Sequence, residues 1–454
     1  MHARSAAPSR DPGLPDARGP RAEPPWSAHA ALIEASRCLY CFNAPCSRAC
    51  PAGVDVAEFI RSIRTGALRS AARLVLSANA LGETCGCVCP TEMLCVGECV
   101  LGAIDGQQPI AIGRLQRFAL HWARSRRLRL FEAAPPSGKQ IALIGAGPAS
   151  LACAHELVRL GHQPVLLECA ESPGGLNRTA IAPHKMDTDL PLAEAEWLVG
   201  FGAQVRYGVR VGVDVPFAEL ERDYDAIFIG VGLGPDRKLG VPREEAEGVM
   251  GAIELLHRIK SGDFVRPPAW ERVLVVGGGN SAIDAARTLK EIGTPEVILV
   301  YRRNEEQMKG YPHEWLAAKM AGVTASFLTQ PVEVLAKEGR ARGLRCIRMT
   351  LGDADESGRL RPVPVPESES ELAGDAVVVA IGQADPQELL PGLPEDIRIA
   401  GGRIVVSPET GVTSRPDYFA GGDCTNGGAE VVNAAAEGLR AARAIDHYLS
   451  GKGN

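Results

Sequence analysis

The sequence predicts an α/β protein in which a small helical domain precedes two Rossmann-like domains, with the second inserted into the first. Three observations support this class. Nine of the thirteen cysteines lie between Cys38 and Cys99, and residues 139–168 and 271–303 each show a strand, a Gly-rich turn, a helix and a second strand. A further strand that ends in Gly-Asp follows near the C-terminus, in residues 419–438. A chain of 454 residues is too long for one hydrophobic core and suits about three domains.

The composition is that of an ordinary globular protein, with 45% apolar and 23% charged residues. No run of about 18 apolar residues could span a bilayer. The net charge of -6 offers no basic surface for nucleic acid. Residues 1–26 are rich in Arg, Ala and Pro and lack the apolar core of a secretory signal, so they are predicted to be a disordered lead. We therefore expect a cytoplasmic protein that binds neither membranes nor nucleic acid.

The cysteines form two groups. The first has the spacing C-x2-C-x4-C-x3-C-P, and the second follows about 35 residues later. Such clustering in a long chain without an export signal indicates metal binding rather than disulfides. Between the groups, apolar residues at helical spacing predict one helix from Val56 to about Gly66 and a second that contains Leu68 and Val75. The two groups comprise Cys38, Cys41, Cys46 and Cys50, and then Cys85, Cys87, Cys89, Cys95 and Cys99.

The spacing favours iron–sulfur clusters over zinc. Zinc sites commonly use two C-x2-C pairs, and only one such pair, Cys38 and Cys41, is present. A run that ends in C-P is close to the ferredoxin pattern, in which three cysteines hold one [4Fe-4S] cluster and the fourth crosses to another. Cys46 would then complete the first three, and Cys50 would join a second cluster. A zinc-stabilised fold or free buried thiols remain alternatives, and for the eighth ligand the residues alone favour a thiolate, Cys85 or Cys87.

Residues 139–168 carry a dinucleotide fingerprint. Gly145 makes the tight turn, Gly147 lets the backbone meet a pyrophosphate, and Ser150 takes the third small position. Glu168, at the end of the second strand, can reach a ribose hydroxyl, while Asp423 can hydrogen-bond the ribityl or phosphate region of a flavin. These segments, with a second glycine turn in residues 171–176, predict an FAD site that includes Gly145, Ala146, Gly147, Pro148, Ala149, Ser150, Glu168, Gly174, Gly175, Leu176, Gly422 and Asp423.

Residues 271–303 form a second unit of the same kind. Its second strand ends in Arg302 and Arg303 where the first unit has an acid. Paired guanidinium groups favour the 2′-phosphate of NADP, so we expect NADP(H), while NAD(H) remains open if the arginines only solvate the strand end. The predicted nicotinamide nucleotide site includes Gly277, Gly278, Gly279, Asn280, Ser281, Arg302, Arg303, Ala380, Ile381 and Gly382.

The predicted boundaries follow from this nesting. Residues 27–126 form the helical iron–sulfur domain, and an FAD domain (127–256 and 385–454) is interrupted by an NAD(P)H-binding domain (257–384). No C-x2-C or C-x4-C pair occurs after residue 126, so disulfide reduction is not expected. Hydride transfer between cofactors needs no general base, so His184 and His313 are expected at the surface or beside a cofactor, and no catalytic residue is predicted.

The cysteine run, the segment CPTxxLCxGxC and PIAIGRLQRFA (109–119) resemble the N-terminal iron–sulfur domain of dihydropyrimidine dehydrogenase and its bacterial NAD(P)H-oxidising subunit. They are more distantly similar to the glutamate synthase small subunit. The flavin segments resemble the pyridine-nucleotide:disulfide oxidoreductase superfamily. The resemblance implies one cluster on Cys38, Cys41, Cys46 and Cys99 and another on Cys50, Cys89, Cys95 and Gln116; it adds Lys185, Val211, Glu430 and Val431 to the FAD site and Lys309 to the nucleotide site.

The resemblance also implies a function. We expect an electron-entry subunit that oxidises NAD(P)H through FAD and passes electrons through two [4Fe-4S] clusters to an FMN and iron–sulfur partner subunit. In the family, that partner reversibly reduces uracil and thymine to 5,6-dihydropyrimidines. The alternatives are a glutamate synthase-like small subunit, a stand-alone NADPH oxidoreductase or ferredoxin reductase, and a redox-sensing protein with inert clusters.

Overall fold

A computed structural model describes residues 23–267, 269–355, 358–386 and 390–451. Most of the predicted disordered lead, residues 1–22, lies outside the described residues. The described chain divides into two compact units. One comprises Ala22–Ile181, Lys185–Pro235 and Gln383–Asn454, and the other includes Ala182–His184 and Asp236–Gly382. The predicted domain boundaries stay predictions.

The first unit begins with a helical region. Its helix α3 buries Val56, Phe59 and Ile60, and is capped by Asp55, which accepts a hydrogen bond from the Glu58 amide. Gly66, with a φ of 77°, follows the end of this helix. The two helices predicted between the cysteine groups are therefore confirmed. The helices of this region are α1 (Ala28–Ser36), α2 (Pro45–Arg48), α3 (Val56–Arg64), α4 (Leu68–Ala78), α5 (Gly82–Val88) and α6 (Ile112–Ser125), with short 3-10 turns at Thr91–Met93 and Val100–Ala103.

A five-stranded parallel sheet forms the rest of the first unit. In the strand numbering given at the end of this paragraph, its order is β16-β4-β1-β2-β3. The strand near the C-terminus, Tyr418–Ala420, therefore pairs with Ala226–Ile229. The helix Val431–Gly451 packs closely on the helix Pro148–Arg159, because a Cβ atom at Gly438 would lie 2.0 Å from the Ala149 carbonyl oxygen. The elements are β1 (Gln140–Ile144), α7 (Pro148–Arg159), β2 (Gln163–Glu168), α8 (Leu176–Thr179), α9 (Leu190–Val199), β3 (Gln204–Tyr207), α10 (Phe217–Asp223), β4 (Ala226–Ile229), a hairpin of β14 (Ile399–Ala400) and β15 (Arg403–Ile404), β16 (Tyr418–Ala420), α14 (Asp423–Asn426) and α15 (Val431–Gly451).

The second unit holds a second five-stranded parallel sheet, in the order β5-β13-β6-β7-β8. Residues 273–276 are buried in a continuous apolar run, as a strand covered on both faces requires. Its elements are β5 (Val249–Gly251), α11 (Ala252–Ser261), β6 (Arg272–Val276), α12 (Asn280–Glu291), β7 (Glu296–Tyr301), a 3-10 turn at Glu305–Gln307, α13 (Pro312–Met320), β8 (Thr324–Phe327) and β13 (Ala376–Val379).

An antiparallel sheet is inserted between β8 and β13. This sheet was not predicted from the sequence. It consists of β9 (Thr329–Lys337), β10 (Arg340–Ala354), β11 (Leu360–Pro364) and β12 (Ser370–Ala373), all paired with the long strand β10. None of the described helices is long and apolar enough to cross a membrane. The predicted α/β class, with a helical region followed by two Rossmann-like sheets, is confirmed.

Candidate cofactor sites

The four predicted ligands of the first cluster line one cavity. Cys38, Cys41, Cys46 and Cys99 line the same pocket, together with apolar side chains that include Ile60. Burial, followed by the charges of Cys99 and Cys38, raises the pKa of Cys46 to about 11. Thiols in such a site become thiolates only when a cation offsets their charge, which suits a cluster of positively charged irons.

The ligand set of this pocket also indicates which metal group would fit. In the described residues, no group of three or more His, Cys, Asp or Glu side chains converges closely enough to hold a single metal ion. A lone zinc ion would need four donors within about 2.3 Å. The four cysteines supply only thiolates, which is the donor set of a [4Fe-4S] cluster.

The second group of predicted ligands is also brought together. Burial, followed by the charge of Cys50, raises the pKa of Cys95 to about 12. Cys85 is 2% exposed, and burial and then a hydrogen bond with Cys89 raise its pKa. The charge of Cys85 in turn acts on Cys50. Cys50, Cys85, Cys89 and Cys95 thus form one group of neighbouring thiols.

Gln116 reaches the same region from α6. Its side chain is buried, and its Nε2 atom donates a hydrogen bond of 2.7 Å to the Gly82 carbonyl at the start of α5. Burial raises the pKa of Cys87, the second cysteine of α5, to about 12; the charge of Arg117 opposes this shift, and the charges of Glu83, Glu194 and Cys85 add to it. The eighth ligand stays a prediction, in which Gln116 is the expected ligand and Cys87 or Cys85 the alternative.

A buried carboxyl group ties the cysteine-bearing helix α5 to α9 within the same compact unit. Glu194 of α9 is 1% exposed and accepts hydrogen bonds from the Glu83 amide at 2.8 Å, the Thr84 amide at 3.2 Å and the Thr84 hydroxyl. Glu83 itself is paired with Arg124 at 2.6 Å and with His121 at 3.0 Å. Glu194 therefore satisfies the free amides at the start of α5 and positions the helix.

Replacing Glu194 with glutamine is expected to flatten the pH dependence of stability. Burial and then the charge of Glu83 raise the pKa of Glu194 to about 8, from an ordinary value of 4.5. The folded state therefore binds more protons than the unfolded chain between these values, and stability falls as pH rises, with a slope of up to about 1.4 kcal/mol per pH unit. Anaerobic urea unfolding of the holoprotein from about pH 6 to about pH 8 measures this slope. Glu196→Gln, on the exposed face of α9, is the matched control; a wild-type slope in Glu194→Gln would contradict the prediction.

The predicted FAD residues meet at the carboxyl end of β1. Gly145 has a φ of 90°, and a Cβ atom there would lie 2.8 Å from the Gly230 carbonyl oxygen, so only glycine fits. A Cβ at Gly147 would meet nothing closer than 3.9 Å, which leaves the approach that a pyrophosphate needs. Glu168 accepts a hydrogen bond of 2.6 Å from the Ala146 amide. Gly174 donates one of 2.8 Å to the Ala146 carbonyl, so the second glycine turn lies on the first.

The remaining FAD residues lie around this edge. Pro148 begins α7, and Ala149 and Ser150 are buried in its first turn. A Cβ at Gly230 would lie 2.2 Å from the Ser150 hydroxyl, so the third small position allows close helix–strand packing. Three pairs of residues lie at the starts of helices: Gly175 and Leu176 at α8, Gly422 and Asp423 at α14, and Glu430 and Val431 at α15. Val211 forms a short bridge with Val215, and Lys185 is half-buried.

Gly422 and Asp423 follow β16, which lies next to β4 and one strand away from β1. Gly422 has a φ of 82°, and its amide donates a 2.6 Å hydrogen bond to Glu437. Burial raises the pKa of Asp423, and a hydrogen bond from the Ala429 amide opposes this effect. The segment presents a carboxyl group and a helix start at the edge where the first glycine turn lies.

The glycine turn of the second sheet, Gly277 to Gly279, lies at the edge that corresponds to the Gly145 turn of the first sheet. A Cβ at Gly277 would lie 2.3 Å from the Ala380 carbonyl oxygen, which holds the turn against the end of β13. No heavy atom of the described chain lies within 4 Å of the Cβ position of Gly279, so the turn is open where a pyrophosphate would approach. Asn280 accepts a hydrogen bond of 2.9 Å from the Tyr311 amide. Ser281 is exposed, as are Ile381 and Gly382 beside Ala380.

The two predicted arginines behave differently. Arg302 is exposed. Arg303 is 6% exposed, and its Nε donates to the Leu360 carbonyl at 2.9 Å while its Nη2 lies 3.6 Å from Asp355. Its role at a 2′-phosphate stays a prediction, but two of its nitrogens already have partners within the chain. Lys309 is exposed and closes the loop, since its amide donates to the Gly278 carbonyl at 2.9 Å.

The loop after β7 keeps unused acceptors. Asn304 Oδ1 and Gln307 Oε1 are buried and have no hydrogen-bond partner within the described part of the chain. Such atoms are costly to bury unless a donor reaches them. A nucleotide carries amino and hydroxyl donors, so this loop fits a dinucleotide.

Of the two histidines expected at the surface or beside a cofactor, His184 is not at the surface. Its side chain is 4% exposed and lies 3.6 Å from Asp284 and 3.2 Å from Glu291. Burial lowers the pKa of His184, but the two neighbouring carboxylates outweigh it and raise the pKa overall. The His313 ring stacks on Tyr311 at a centroid distance of 5.8 Å. His184 is therefore a buried ion-pair residue.

The sequence of this chain matches two known protein families. Residues 21–128 match the family described as "Dihydropyrimidine dehydrogenase domain II, 4Fe-4S cluster", and residues 139–438 match "Pyridine nucleotide-disulphide oxidoreductase". The chain belongs to the pyridine nucleotide-disulphide oxidoreductase family. As a member with the additional iron–sulfur domain, it is an NAD(P)H-dependent flavin and [4Fe-4S] oxidoreductase and an electron-transfer subunit, as predicted.

Three relatives of this family member show the range of complexes. It is 37% identical to "NADP(+)-dependent formate dehydrogenase subunit beta" of Moorella thermoacetica, over 90% of this chain and 60% of the relative. It is 34% identical to "Glutamate synthase [NADPH] small chain" of Halomonas elongata, over 94% of this chain and 92% of the relative. It is 32% identical to "NAD-dependent dihydropyrimidine dehydrogenase subunit PreT" of Escherichia coli, over 94% of this chain and 96% of the relative. The predicted resemblance to the last two kinds of subunit is confirmed.

Proposed function

We propose that this chain oxidises NADPH and delivers electrons to a partner subunit that contains FMN and iron–sulfur clusters and reduces uracil and thymine. One observation carries the proposal. The predicted FAD residues and both groups of cluster ligands belong to one compact unit, in which Glu194 joins α9 to the cysteine-bearing α5. This arrangement suits a chain that takes electrons from a nucleotide and passes them on.

The roles of the residues follow from their positions. The nicotinamide, flavin and clusters supply hydride donation, hydride acceptance and single-electron transfer when they are bound. We assign one cluster to Cys38, Cys41, Cys46 and Cys99 and the other to Cys50, Cys89, Cys95 and Gln116. Gly147 and Gly279 admit the two pyrophosphates, and Glu168 holds a ribose of FAD. Arg302 and Lys309 supply positive charge for a 2′-phosphate, which favours NADP(H).

The sequence around Gln116 supports the pyrimidine-reducing partner. The segment GRLQRF and the spacing of Cys89, Cys95 and Cys99 resemble dihydropyrimidine dehydrogenase more than glutamate synthase. The chain is 32% identical to a dihydropyrimidine dehydrogenase subunit over nearly its whole length, and its 34% identity to a glutamate synthase small chain keeps that partner as an alternative. A second candidate is favoured by the 37% identity to a formate dehydrogenase subunit: a partner that feeds electrons in, so that this chain reduces NADP+.

Anaerobic co-purification from the native cell tests the proposal. We expect NADPH to bleach the flavin of the purified chain and an FMN-containing chain to accompany it. The pair is then assayed with NADPH and uracil, with NADPH, glutamine and 2-oxoglutarate, and with formate and NADP+. Uracil reduction supports the proposal, whereas activity in one of the other two assays alone overturns the assigned partner. A flavin that neither NADPH nor NADH bleaches would refute the electron-entry role itself.

A further inference from the structure

The unpredicted antiparallel sheet reaches the nicotinamide nucleotide site through the turn between β10 and β11. The described ends of this connection, Asp355 and Arg359, bond to each other: the Asp355 amide donates to the Arg359 carbonyl at 2.7 Å, and the Arg359 amide donates to the Asp355 carboxylate at 3.1 Å. The turn is then fastened to the segment that follows β7. Nη2 of Arg359 donates to the Tyr301 hydroxyl at 3.0 Å and to the Gln307 carbonyl at 2.6 Å.

A second arginine fastens the turn from the other side. Nε of Arg303 donates to the Leu360 carbonyl at 2.9 Å, and its Nη2 lies 3.6 Å from Asp355. Two guanidinium groups thus cross between the turn and residues 301–307 in opposite directions. The segment that contains Arg302 is therefore bonded to the turn at Tyr301 and Arg303 and again at Gln307.

Tyr301 connects this contact to the pyrophosphate turn. A Cβ atom at Gly278 would lie 2.5 Å from the Tyr301 ring, so the ring lies directly on the glycine turn. The Gly278 carbonyl in turn accepts hydrogen bonds from the amides of Lys309 and Gly310, at 2.9 and 3.0 Å. Arg359 is therefore one side chain away from the glycine turn and bonds to the loop that begins at Arg302 and ends at Lys309.

The charge of Arg359 suits an anion at this place. The two side-chain acceptors of Arg359 that the described chain supplies, a tyrosine hydroxyl and a peptide carbonyl, are neutral, so the guanidinium brings positive charge to this loop. Arg302 and Lys309 of the same loop are exposed cations. In a Rossmann-like unit, the end of the second strand is where the ribose 2′ position lies.

We infer that Arg359 determines specificity for the ribose 2′-phosphate, by positioning the loop of residues 301–309 and by adding a third positive charge beside Arg302 and Lys309. The inference rests on the proposed use of NADPH and adds a residue that lies outside the Rossmann-like sheet. An arginine suits this role because its planar guanidinium can bond to two acceptors and still present charge to a phosphate.

Equilibrium binding of NADP+ and NAD+ to the full-length oxidised holoprotein, measured by isothermal titration calorimetry, tests the inference. Arg359→Ala is expected to weaken NADP+ binding about tenfold or more and NAD+ binding less than about twofold, as for the loss of charge-assisted bonding to one phosphate. Arg359→Lys keeps the charge without the fork and is expected to fall between wild type and alanine. Arg361→Ala is the matched control, because Arg361 is an exposed arginine two residues further along and its loss changes the net charge equally.

The outcomes separate this inference from the proposed function. If wild-type protein prefers NADP+ and Arg359→Ala keeps the same ratio of affinities, the inference is wrong and the proposed use of NADPH stands. If wild-type protein binds both nucleotides equally, both are wrong. A change in ratio for Arg361→Ala as large as for Arg359→Ala would show a general charge effect and overturn the specific role. Arg359→Lys, with unaltered flavin absorbance and melting temperature, keeps the test valid if the alanine variant misfolds.

Discussion

Replacing Cys99 with serine is expected to leave the chain with one of its two clusters, or about four irons instead of about eight. Cys99 lines the same pocket as Cys38, Cys41 and Cys46, and its charge acts on both Cys38 and Cys46. A cluster held by only three thiolates loses stability because serine is a poorer iron ligand. Iron content per flavin and the electron paramagnetic resonance spectrum of the reduced, anaerobically purified protein measure the loss.

The second cluster is expected to persist in Cys99→Ser and to change in Gln116→Ala instead. Cys346→Ala is the control, because Cys346 is buried in the second compact unit and is not a predicted ligand. Full iron content in Cys99→Ser would contradict the assignment of the first cluster. If Cys85→Ser alters the second signal and Gln116→Ala does not, Cys85 is the eighth ligand.

Alanine at Gly147 is expected to abolish FAD binding, and alanine at Gly279 to abolish nicotinamide nucleotide binding while FAD and iron remain. In the described chain, an added methyl group contacts only the Gly230 carbonyl oxygen, at 3.9 Å, in the first case and nothing within 4 Å in the second, so neither change disturbs the fold. Each methyl group would occupy the space that a pyrophosphate needs against the backbone amides. Flavin absorbance of the purified protein and NADP+ titration measure the two losses.

Gly138→Ala provides the control for a glycine substitution outside the sites. Gly138 precedes β1, and no heavy atom of the described chain lies within 4 Å of its Cβ position. Its φ of 73° costs an alanine roughly 1 kcal/mol, which is expected to lower the melting temperature slightly and leave both cofactors bound. Normal FAD content in Gly147→Ala, or loss of FAD in Gly279→Ala, would contradict the assignment of the two turns.

The local motifs were predictable because each depends on residues close together in sequence. Gly145 and Gly277 adopt positive φ values in turns between a strand and a helix, and such turns are visible as glycines at fixed spacing. The helices α3 and α4 were predictable from apolar residues at helical spacing. The antiparallel sheet was missed, although the segment LRCIRMTL (344–351) contains a partial alternation of apolar and polar residues.

The contacts between distant segments were beyond the sequence analysis. Glu194 lies more than 100 residues from the helix that it caps, and nothing in the spacing of α9 marks its role. Arg359 lies 58 residues from Tyr301 and belongs to a sheet that no dinucleotide motif requires. Even Arg303, which the sequence places beside Arg302, is directed by tertiary contacts toward Asp355 and Leu360.

The sequence by itself determined the two nucleotide-binding turns, the two groups of cysteines and the nesting of one sheet within the other, since all of these follow from short-range spacing and chain order. Only the tertiary structure decided that Cys85 lies with Cys50 and Cys89, that Glu194 holds α5, and that Arg359 reaches the loop after β7. The reason is physical. Backbone turns and helical faces are local consequences of residue type, whereas the partner of a buried charge is chosen by whichever segments the packing brings within hydrogen-bond distance.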